Sequence, residues 1–421
     1  MVVQHLAEMA SFARGSIKRV TSLITDQIGH DFSELHQRMQ WYVDEELIPC
    51  CATLVMHGTS VVDMGLFGYM DLESREPLRA DAIYRMYSNT KLITSVAAMI
   101  LHERGLFDLD EPIEMYLPEF SDMHVLRVDA ESLEDTVPAE NSITPRHLLS
   151  HTAGLSYGFL EPESLIDQGY LAGGIVISGG DDEPLADLCG RLGEFPLVFQ
   201  PGTGWRYSFA TDVLARLIEV LSGDRFDSFL DANILSALEM VDTGFHVPPE
   251  KQDRFVTMYA GPDPMDYMKP GLSKVDDPRT GEYSRPKKLQ SGGGGLVSTL
   301  QDYAAFIRMI VGGGQWHGRR IIAEETLSLM RTNQLAEGVH VNFPDLPLPG
   351  TVFGLGFSLL KAPGPEDPPG SNDQYGWGGM AGTSSWIAPN THLAGICFTQ
   401  RMPASFHPYI DDFRRLAYAS G

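Results

Sequence analysis

Two serines in this sequence stand in patterns that can support nucleophilic catalysis. The first, Ser88, is followed three residues later by Lys91, and residues at that spacing share one face of a helix. An amine at that distance can take the proton of the serine hydroxyl, and burial lowers the pKa of a lysine towards that of a useful base. Free backbone N–H groups at a helix start also favour a developing oxyanion. The pair Ser88 and Lys91 therefore predicts an activated nucleophile.

Ser156 is the competing candidate, because residues 154–158 read GLSYG and match the pattern G-x-S-x-G. In a nucleophile elbow that pattern lies between a buried strand and a helix. Here residues 146–153 indicate a short helix instead, and Pro162 would interrupt any helix that followed. Both flanks are wrong for an elbow. We therefore expect Ser156 to be an ordinary loop serine, at most a neighbour of the mouth of a pocket.

The S-x-x-K spacing is itself weak evidence, because it occurs twice. Ser284 and Lys287 repeat it, but Pro286 lies between them and the surrounding residues are typical of a loop. For Ser88 the competing interpretation is a helix N-cap followed by an exposed lysine. The spacing alone leaves that interpretation open.

The elements that must position these residues come mainly from the two ends of the chain. A helical pattern at 33–47 precedes a predicted strand hairpin at 51–66, and two further strands at 383–399 precede a final amphipathic helix. The strongest helix covers Ser88 to Arg104, and the middle of the chain is rich in loops and short helices.

These patterns predict an α+β fold built from two lobes. Residues 1–115 and 290–421 would form a lobe with an antiparallel sheet flanked by helices, and residues 116–289 would form an inserted, mostly helical lobe.

The composition disfavours several classes of binding partner. The 421 residues are 43 % hydrophobic and 21 % charged, which is typical of a globular chain, and the formal net charge of −25 disfavours nucleic acids and anionic membranes. No segment approaches the roughly 20 apolar residues of a membrane span, and the first 30 residues contain no recognisable secretory signal. Four cysteines without zinc-ligand spacing suit a reduced compartment. We therefore predict a cytoplasmic protein with no metal site and no nucleic-acid or membrane partner, which could form a homo-oligomer. The motifs described next imply a small-molecule substrate and no cofactor.

Four motifs follow one another along the chain: Tyr87–Ser95 (YSNTKLITS), His147–Leu155 (HLLSHTAGL), Phe199–Ser208 (FQPGTGWRYS) and Trp377–Gly379 (WGG). Together they resemble the motifs of the serine β-lactamase and penicillin-binding-protein-like superfamily, and within it those of the family VIII carboxylesterases and related acyltransferases. The resemblance implies a β-lactamase/DD-peptidase-like fold.

The resemblance also implies a role for each matching position. Ser88 would be the acylated nucleophile, and Lys91 would accept or share its proton. Tyr207 would act as a phenolic acid and base, with a pKa lowered by cationic Lys91. The positions that bind the oxyanion and the substrate would be Ser88, Met380, Trp377, Gly378 and Gly379.

Two departures from the β-lactamase pattern bear on the substrate. Phe209 stands where the second motif has asparagine, and Trp377 stands where the third motif has lysine or histidine. Both changes remove polar partners of a charged lactam and leave an apolar site, which favours neutral esters. We expect a serine esterase that hydrolyses small, short- to medium-chain esters through an acyl-enzyme on Ser88. Acyl transfer to an alcohol, weak cephalosporin hydrolysis and a catalytically silent binding or scaffold role remain alternatives.

Overall fold

The computed structural model describes residues 31–176, 183–343 and 346–420. The α-helices of these residues are α1 (Ser33–Asp44), α2 (Thr90–Glu103), α3 (Pro145–Ser150), α4 (Leu165–Ala172), α5 (Leu185–Gly193), α6 (Ala210–Ser222), α7 (Phe226–Leu230), α8 (Leu300–Val311), α9 (Glu324–Met330) and α10 (Pro408–Ser420).

The strands comprise a large set near the chain ends and short pairs between them. They are β1 (Cys50–His57), β2 (Ser60–Asp71), β3 (Glu76–Pro77), β4 (Ile83–Arg85), β5 (His124–Leu126), β6 (Thr136–Pro138), β7 (Met258–Ala260), β8 (Ser273–Asp276), β9 (Val297–Thr299), β10 (Gln315–Trp316), β11 (Arg319–Arg320), β12 (Asn342–Phe343), β13 (Leu346–Pro347), β14 (Thr351–Phe353), β15 (Ser358–Leu360), β16 (Gln374–Gly379), β17 (Thr383–Ala388) and β18 (Leu393–Phe398).

Eight strands form one antiparallel sheet in the order β14-β15-β16-β17-β18-β1-β2-β3. The predicted hairpin at 51–66 is β1 and β2, and the predicted strands at 383–399 are β17 and β18. β1 pairs with β18, with Thr53 opposite Cys397, so the two ends of the chain meet at the centre of the sheet. The predicted α+β fold with an antiparallel sheet and flanking helices is confirmed.

The sheet is buried on both faces, and β1 shows how the sequence achieves this. Alternate side chains of a strand point to opposite faces. Cys50, Ala52, Leu54 and Met56 join the core that contains α2 and α8. The intervening residues Cys51 and Val55 join a second core with α1 and α10. A strand covered on both faces needs an apolar run rather than an alternating pattern, which is what residues 50–56 supply.

Helices and short strand pairs fill the region between the two parts of the sheet. α6 packs against α2, α3 and α5, and so joins the middle of the chain to the helix that follows Ser88. The boundaries at 115 and 290 between two lobes stay a prediction.

Candidate active site

Ser88 lies in a single turn of 3-10 helix, Tyr87–Asn89, and α2 begins two residues later at Thr90. The predicted helix therefore covers Ser88 and Asn89 as a 3-10 turn and becomes α-helical at Thr90. Tyr87, the residue before Ser88, has a left-handed φ of 44°, so a regular helix cannot extend back through it. That conformation is costly for a bulky residue, and burial of its ring against Met258 and Ala381 opposes the cost.

Lys91 lies on the first turn of α2, with its amine among oxygen atoms. Its Nζ donates to Ser88 Oγ over 3.3 Å. Shorter hydrogen bonds run from Nζ to the hydroxyl of Tyr157, 2.6 Å, and to the carbonyl oxygen of Gly293, 2.7 Å. The side chain is buried, and this desolvation lowers the pKa of Lys91 to about 7, although the charge of Asp212 acts in the opposite direction. The neutral amine is thus present near pH 7 and can take a proton from Ser88.

Tyr157 is a site residue that no sequence motif indicates. It belongs to the GLSYG stretch and follows directly after Ser156, yet its hydroxyl makes the shortest hydrogen bond of Lys91. Burial, with the nearby Tyr207 and Asp212, raises the pKa of Tyr157 well above its ordinary value. The side chain therefore stays a neutral phenol that can both donate and accept a hydrogen bond.

Tyr207 lies just before α6 and is held at its hydroxyl by the indole of Trp377, whose Nε1 donates over 2.9 Å. A hydrogen bond with Ser88 and the one with Trp377 lower the pKa of Tyr207, but burial outweighs both and raises it. The expectation that Lys91 lowers this pKa is therefore wrong. Lys91 Nζ lies over the face of the ring, 4.6 Å from its centroid, and not at the phenolic oxygen.

The end of β16 approaches the Ser88 turn closely, because its glycines have no side chains. A Cβ on Gly379 would lie 2.2 Å from the carbonyl oxygen of Met86, so any larger residue would push β16 away. The ladder between β15 and β16 ends at Gly376, which leaves the following residues, 377–379, unpaired on that side within the described chain. Met380 comes next.

A cavity of about 570 Å³ joins these residues. It is a drug-sized volume, larger than a short-chain ester needs. Ser88, Trp377, Gly378 and Met380 all contribute to its wall. The aromatic residues of the wall are Phe159, Tyr207, Tyr267, Phe343, Tyr375, Trp377, Trp386 and Phe406. The cavity therefore suits a largely apolar, neutral guest.

The one guanidinium in the wall, that of Arg414, is already paired within the described residues. It lies 2.9 Å from a carboxylate oxygen of Asp367 and 3.5 Å from one of Asp411. An anionic guest would have to compete with these carboxylates, so the wall offers no unpaired cation comparable to the lysine or histidine of a β-lactamase.

Ser156 is fully buried and takes part in a different network. Its hydroxyl donates to the carboxylate of Asp167 on α4 and accepts from Nε of Arg206 over 2.7 Å. A second carboxylate, Glu161, lies 2.7 Å from the same guanidinium. Ser156 does not line the cavity beside Ser88, and its role here is structural, because the buried Asp167 and Arg206 need a polar partner inside the protein.

The second S-x-x-K pair does not assemble into a site. Lys287 pairs with Glu282 and lies over the ring of Tyr283, 4.3 Å from its centroid. The Ser284 hydroxyl donates to the carbonyl oxygen of Gly281 over 2.7 Å. Both side chains are occupied locally, as the loop interpretation predicts.

Comparison with known proteins agrees with this architecture. A model of the Beta-lactamase family matches residues 35–419. Protein Rv1367c of Mycobacterium tuberculosis is 32 % identical over 86 % of this chain and 88 % of its own length. Esterase EstB of Burkholderia gladioli is 29 % identical over 85 % of this chain and 86 % of its own.

A solved structure extends the agreement to the whole fold. EstCE1, described as a hydrolase with promiscuous acyltransferase activity, superimposes with a TM-score of 0.76 over 96 % of this chain and 99 % of its own, at 23 % identity. The sheet, its flanking helices and the cavity thus define a protein with the fold of β-lactamases and penicillin-binding proteins. The chain belongs to the Beta-lactamase family.

The described residues contain neither a membrane-spanning helix nor a cluster of metal ligands. No helix in this part of the chain has the length and apolar character needed to cross a bilayer. Nor do these residues bring three or more His, Cys, Asp or Glu side chains together as a candidate metal site. All four cysteines are buried free thiols, and the sulfur atoms of Cys51 and Cys397 are 3.5 Å apart.

Proposed function

We propose that this protein is a serine esterase that hydrolyses small, short- to medium-chain carboxylic esters through an acyl-enzyme on Ser88. The observation that carries the proposal is the hydrogen bond between the Lys91 amine and the Ser88 hydroxyl at an aromatic cavity. The relative EstB is itself an esterase, which supports the same reaction class.

In the first half of the reaction, Lys91 accepts the Ser88 proton while Oγ bonds to the ester carbonyl carbon. The carbonyl electron pair moves to oxygen, and the backbone N–H groups of Ser88 and Met380 would bind that oxyanion. When the oxyanion collapses, the bond to the alcohol breaks. The leaving oxygen receives a proton from Tyr207 or directly from the Lys91 ammonium.

In the second half, a water molecule replaces the departed alcohol. Lys91 is neutral again, because its added proton has gone to the alcohol or has replaced the proton that Tyr207 gave up. It then takes a proton from the water as the water oxygen attacks the acyl carbon. Collapse of the second oxyanion breaks the bond to Ser88 Oγ, which recovers its proton from Lys91. The acid leaves, and every group returns to its initial protonation state.

The aromatic wall, whose one guanidinium is already paired with carboxylates, explains why we propose esters and not lactams. A β-lactam drug carries a carboxylate, but Trp377 occupies the position of the cationic or polar residue that would bind it. Phe209, which replaces the amide-bearing asparagine, is buried and packs on the ring of Tyr157. Lactam hydrolysis should therefore be slow.

Acyl transfer to an alcohol is the second candidate, and the size of the cavity favours it. A volume of about 570 Å³ leaves room for an alcohol beside the acyl group. The alcohol would then attack the acyl-enzyme in place of water, with the same proton transfers. A cytoplasmic location belongs to the same proposal, supported by the four free thiols.

The test is hydrolysis of p-nitrophenyl butyrate by the wild type and by Ser88→Ala, with Ser156→Ala as the matched serine control. Ser88→Ala should lose at least about 10³-fold in kcat, as expected for a nucleophile, while Ser156→Ala keeps its activity per folded molecule. Unchanged activity of Ser88→Ala would contradict the mechanism. Product analysis with added alcohols separates transfer from hydrolysis. A silent scaffold would show neither turnover nor a mass shift with a serine-directed phosphonate.

A further inference from the structure

A buried carboxylate, that of Asp212, is linked to the Lys91 amine through a single glycine. Asp212 lies on the first turn of α6 and is 1 % exposed. Its Oδ1 accepts from the hydroxyl of Ser291 over 2.5 Å and from the backbone N–H of Gly293 over 3.1 Å. The carbonyl oxygen of the same glycine accepts from Lys91 Nζ over 2.7 Å. The backbone N–H of Gly293 thus contacts the carboxylate, and the carbonyl oxygen of Gly293 contacts the amine.

Gly293 has no room for a side chain. A Cβ there would lie 2.4 Å from Oδ2 of Asp212 and 2.9 Å from the hydroxyl of Tyr157. The next residue, Gly294, is different, because a Cβ there would meet nothing closer than the backbone of Tyr87 at 3.7 Å, an ordinary contact. Within the glycine loop 292–295, Gly293 is therefore the residue that packs tightly against Asp212.

Asp212 supplies the negative charge among the titratable groups that face Lys91 in the described chain. Those groups are Tyr157, Tyr207, His151 and Asp212. Burial raises the pKa of both tyrosines and lowers the pKa of His151 well below its usual value, so all three are neutral. The charge of Asp212 stabilises the ammonium form of Lys91 and opposes the effect of burial.

The surroundings of Asp212 are equally defined. Burial raises the pKa of its carboxyl group, whereas Lys91 and the hydrogen bonds from Ser291 and Gly293 stabilise the carboxylate. The charge of Asp212 also acts on Tyr157, Tyr207 and the Cys189 thiol of α5, and burial raises the pKa of that thiol well above its ordinary value, so it stays neutral. Asp212 makes no direct ion pair with Lys91, so it acts at a distance and through the Gly293 peptide.

We propose that Asp212 is a positioning residue, which holds Lys91 in place through Gly293 and sets the pH at which Lys91 becomes a base. The inference rests on the proposed function, in which Lys91 takes the proton of Ser88. It adds a carboxylate to the site that lies outside every sequence motif used above.

The first test is the pH profile of Asp212→Asn, in which the amide oxygen can still accept both hydrogen bonds but the charge is gone. The acid limb of kcat/KM should move to lower pH by about 1 unit, the size expected for loss of one nearby opposite charge. Asp302→Asn is the matched control. Asp302 is also a buried aspartate, and it accepts from the backbone N–H of Asp242 and from the Thr243 hydroxyl, neither of which is hydrogen-bonded to Lys91 or Gly293. The control should leave the limb in place. An unmoved or upward-shifted limb in Asp212→Asn would overturn the proposal.

A second pair of variants keeps the proposal testable if Asp212→Asn folds poorly. Gly293→Ala should displace the carboxylate and the carbonyl that holds Lys91, with a loss of about 10²-fold in kcat, the cost of a misplaced catalytic group. Gly294→Ala should change kcat by about two-fold at most, because its new methyl group makes only an ordinary contact. Equal effects of the two substitutions would contradict a specific role for Gly293.

A third measurement does not require catalysis. In protein labelled with ¹³C at lysine Cε, the Lys91 resonance is identified by its loss in Lys91→Arg, and its titration is followed in the Ser88→Ala background. The midpoint should fall when Asp212→Asn is added. If Ser88→Ala retained esterase activity, the proposed function would fail, whereas this titration would still decide whether Asp212 controls Lys91. An unchanged midpoint would overturn the role of Asp212 alone.

Discussion

Ser88 and Ser156 are two polar serines enclosed by the same protein, and they differ in the charges of their partners. Ser156 lies between a carboxylate, Asp167, and a guanidinium, Arg206, so its proton and its lone pair are both committed to permanent charges. Ser88 faces an amine whose pKa is near 7 and borders an open cavity. A hydroxyl becomes a nucleophile only where a neighbour can take its proton. The partners of the hydroxyl, and not the local sequence pattern, therefore distinguish a reactive serine from a structural one.

Lys91→Met should have the largest effect on activity, because it removes the proton acceptor and leaves Ser88 in place. We expect kcat to fall by about 10³-fold or more, the range for loss of a general base. Thermal unfolding should show a lower stability, because the substitution leaves buried hydrogen-bonding atoms of Tyr157 and Gly293 without their partner and the Asp212 carboxylate without its counter-charge. Retention of more than a tenth of the activity would break the assignment of Lys91 as the base.

Tyr207→Phe should have the next largest effect. It removes the hydroxyl that links Ser88 to the Trp377 indole but keeps the buried ring. We expect a loss of about 10²-fold in kcat with p-nitrophenyl butyrate, and a larger loss with a methyl ester, whose leaving alcohol needs a proton more. Equal losses with both esters would show that the hydroxyl does not serve the leaving group.

The activity should also depend on pH through Lys91. Below pH 7 the amine is protonated and cannot accept a proton, so kcat/KM should fall about ten-fold per pH unit there.

Lys91 also affects the pH dependence of stability, because its folded-state pKa of about 7 is lower than its ordinary value of 10.5. The unfolded chain binds more protons between these values, so stability from this group rises as the pH increases through that window. A pH-rate profile and urea titrations at several pH values measure both, and a flat acid limb would contradict Lys91 as the base.

Ser156→Ala should have the smallest effect on activity and a clear one on stability. Removal of the hydroxyl leaves the buried Asp167 and Arg206 short of a hydrogen bond, which typically costs about 1–3 kcal/mol. Urea unfolding should show this loss, while kcat per folded molecule stays within about two-fold. A large fall in kcat of a fully folded variant would erase the distinction between the two serines.

Much of the fold could be predicted from the sequence, because its signals are local. The hairpin β1–β2 and the pair β17–β18 follow from apolar runs and turns. The contact between Ser88 and Lys91 also follows from their spacing. The 3-10 turn at Ser88 does not, because nothing in the sequence indicates that Tyr87 has a left-handed backbone.

The parts of the site that sequence reasoning missed depend on long-range packing. Tyr157 reaches Lys91 across 66 residues, and nothing in the residues around Ser156 indicates that contact. The sign of the Tyr207 pKa shift was wrong because burial outweighs the local hydrogen bonds. The indole N–H of Trp377 looked like part of an apolar wall, yet it holds Tyr207 across 170 residues.

Acylation of Ser88 is tested most directly by locating the acyl group on the protein. The enzyme would be mixed with excess p-nitrophenyl butyrate, quenched in acid within the first turnovers, digested and mapped by mass spectrometry. We predict one added butyryl mass, on the peptide that contains Ser88, and none in Ser88→Ala. A butyryl group on the peptide that contains Ser156, or continued turnover in Ser88→Ala, would contradict the account.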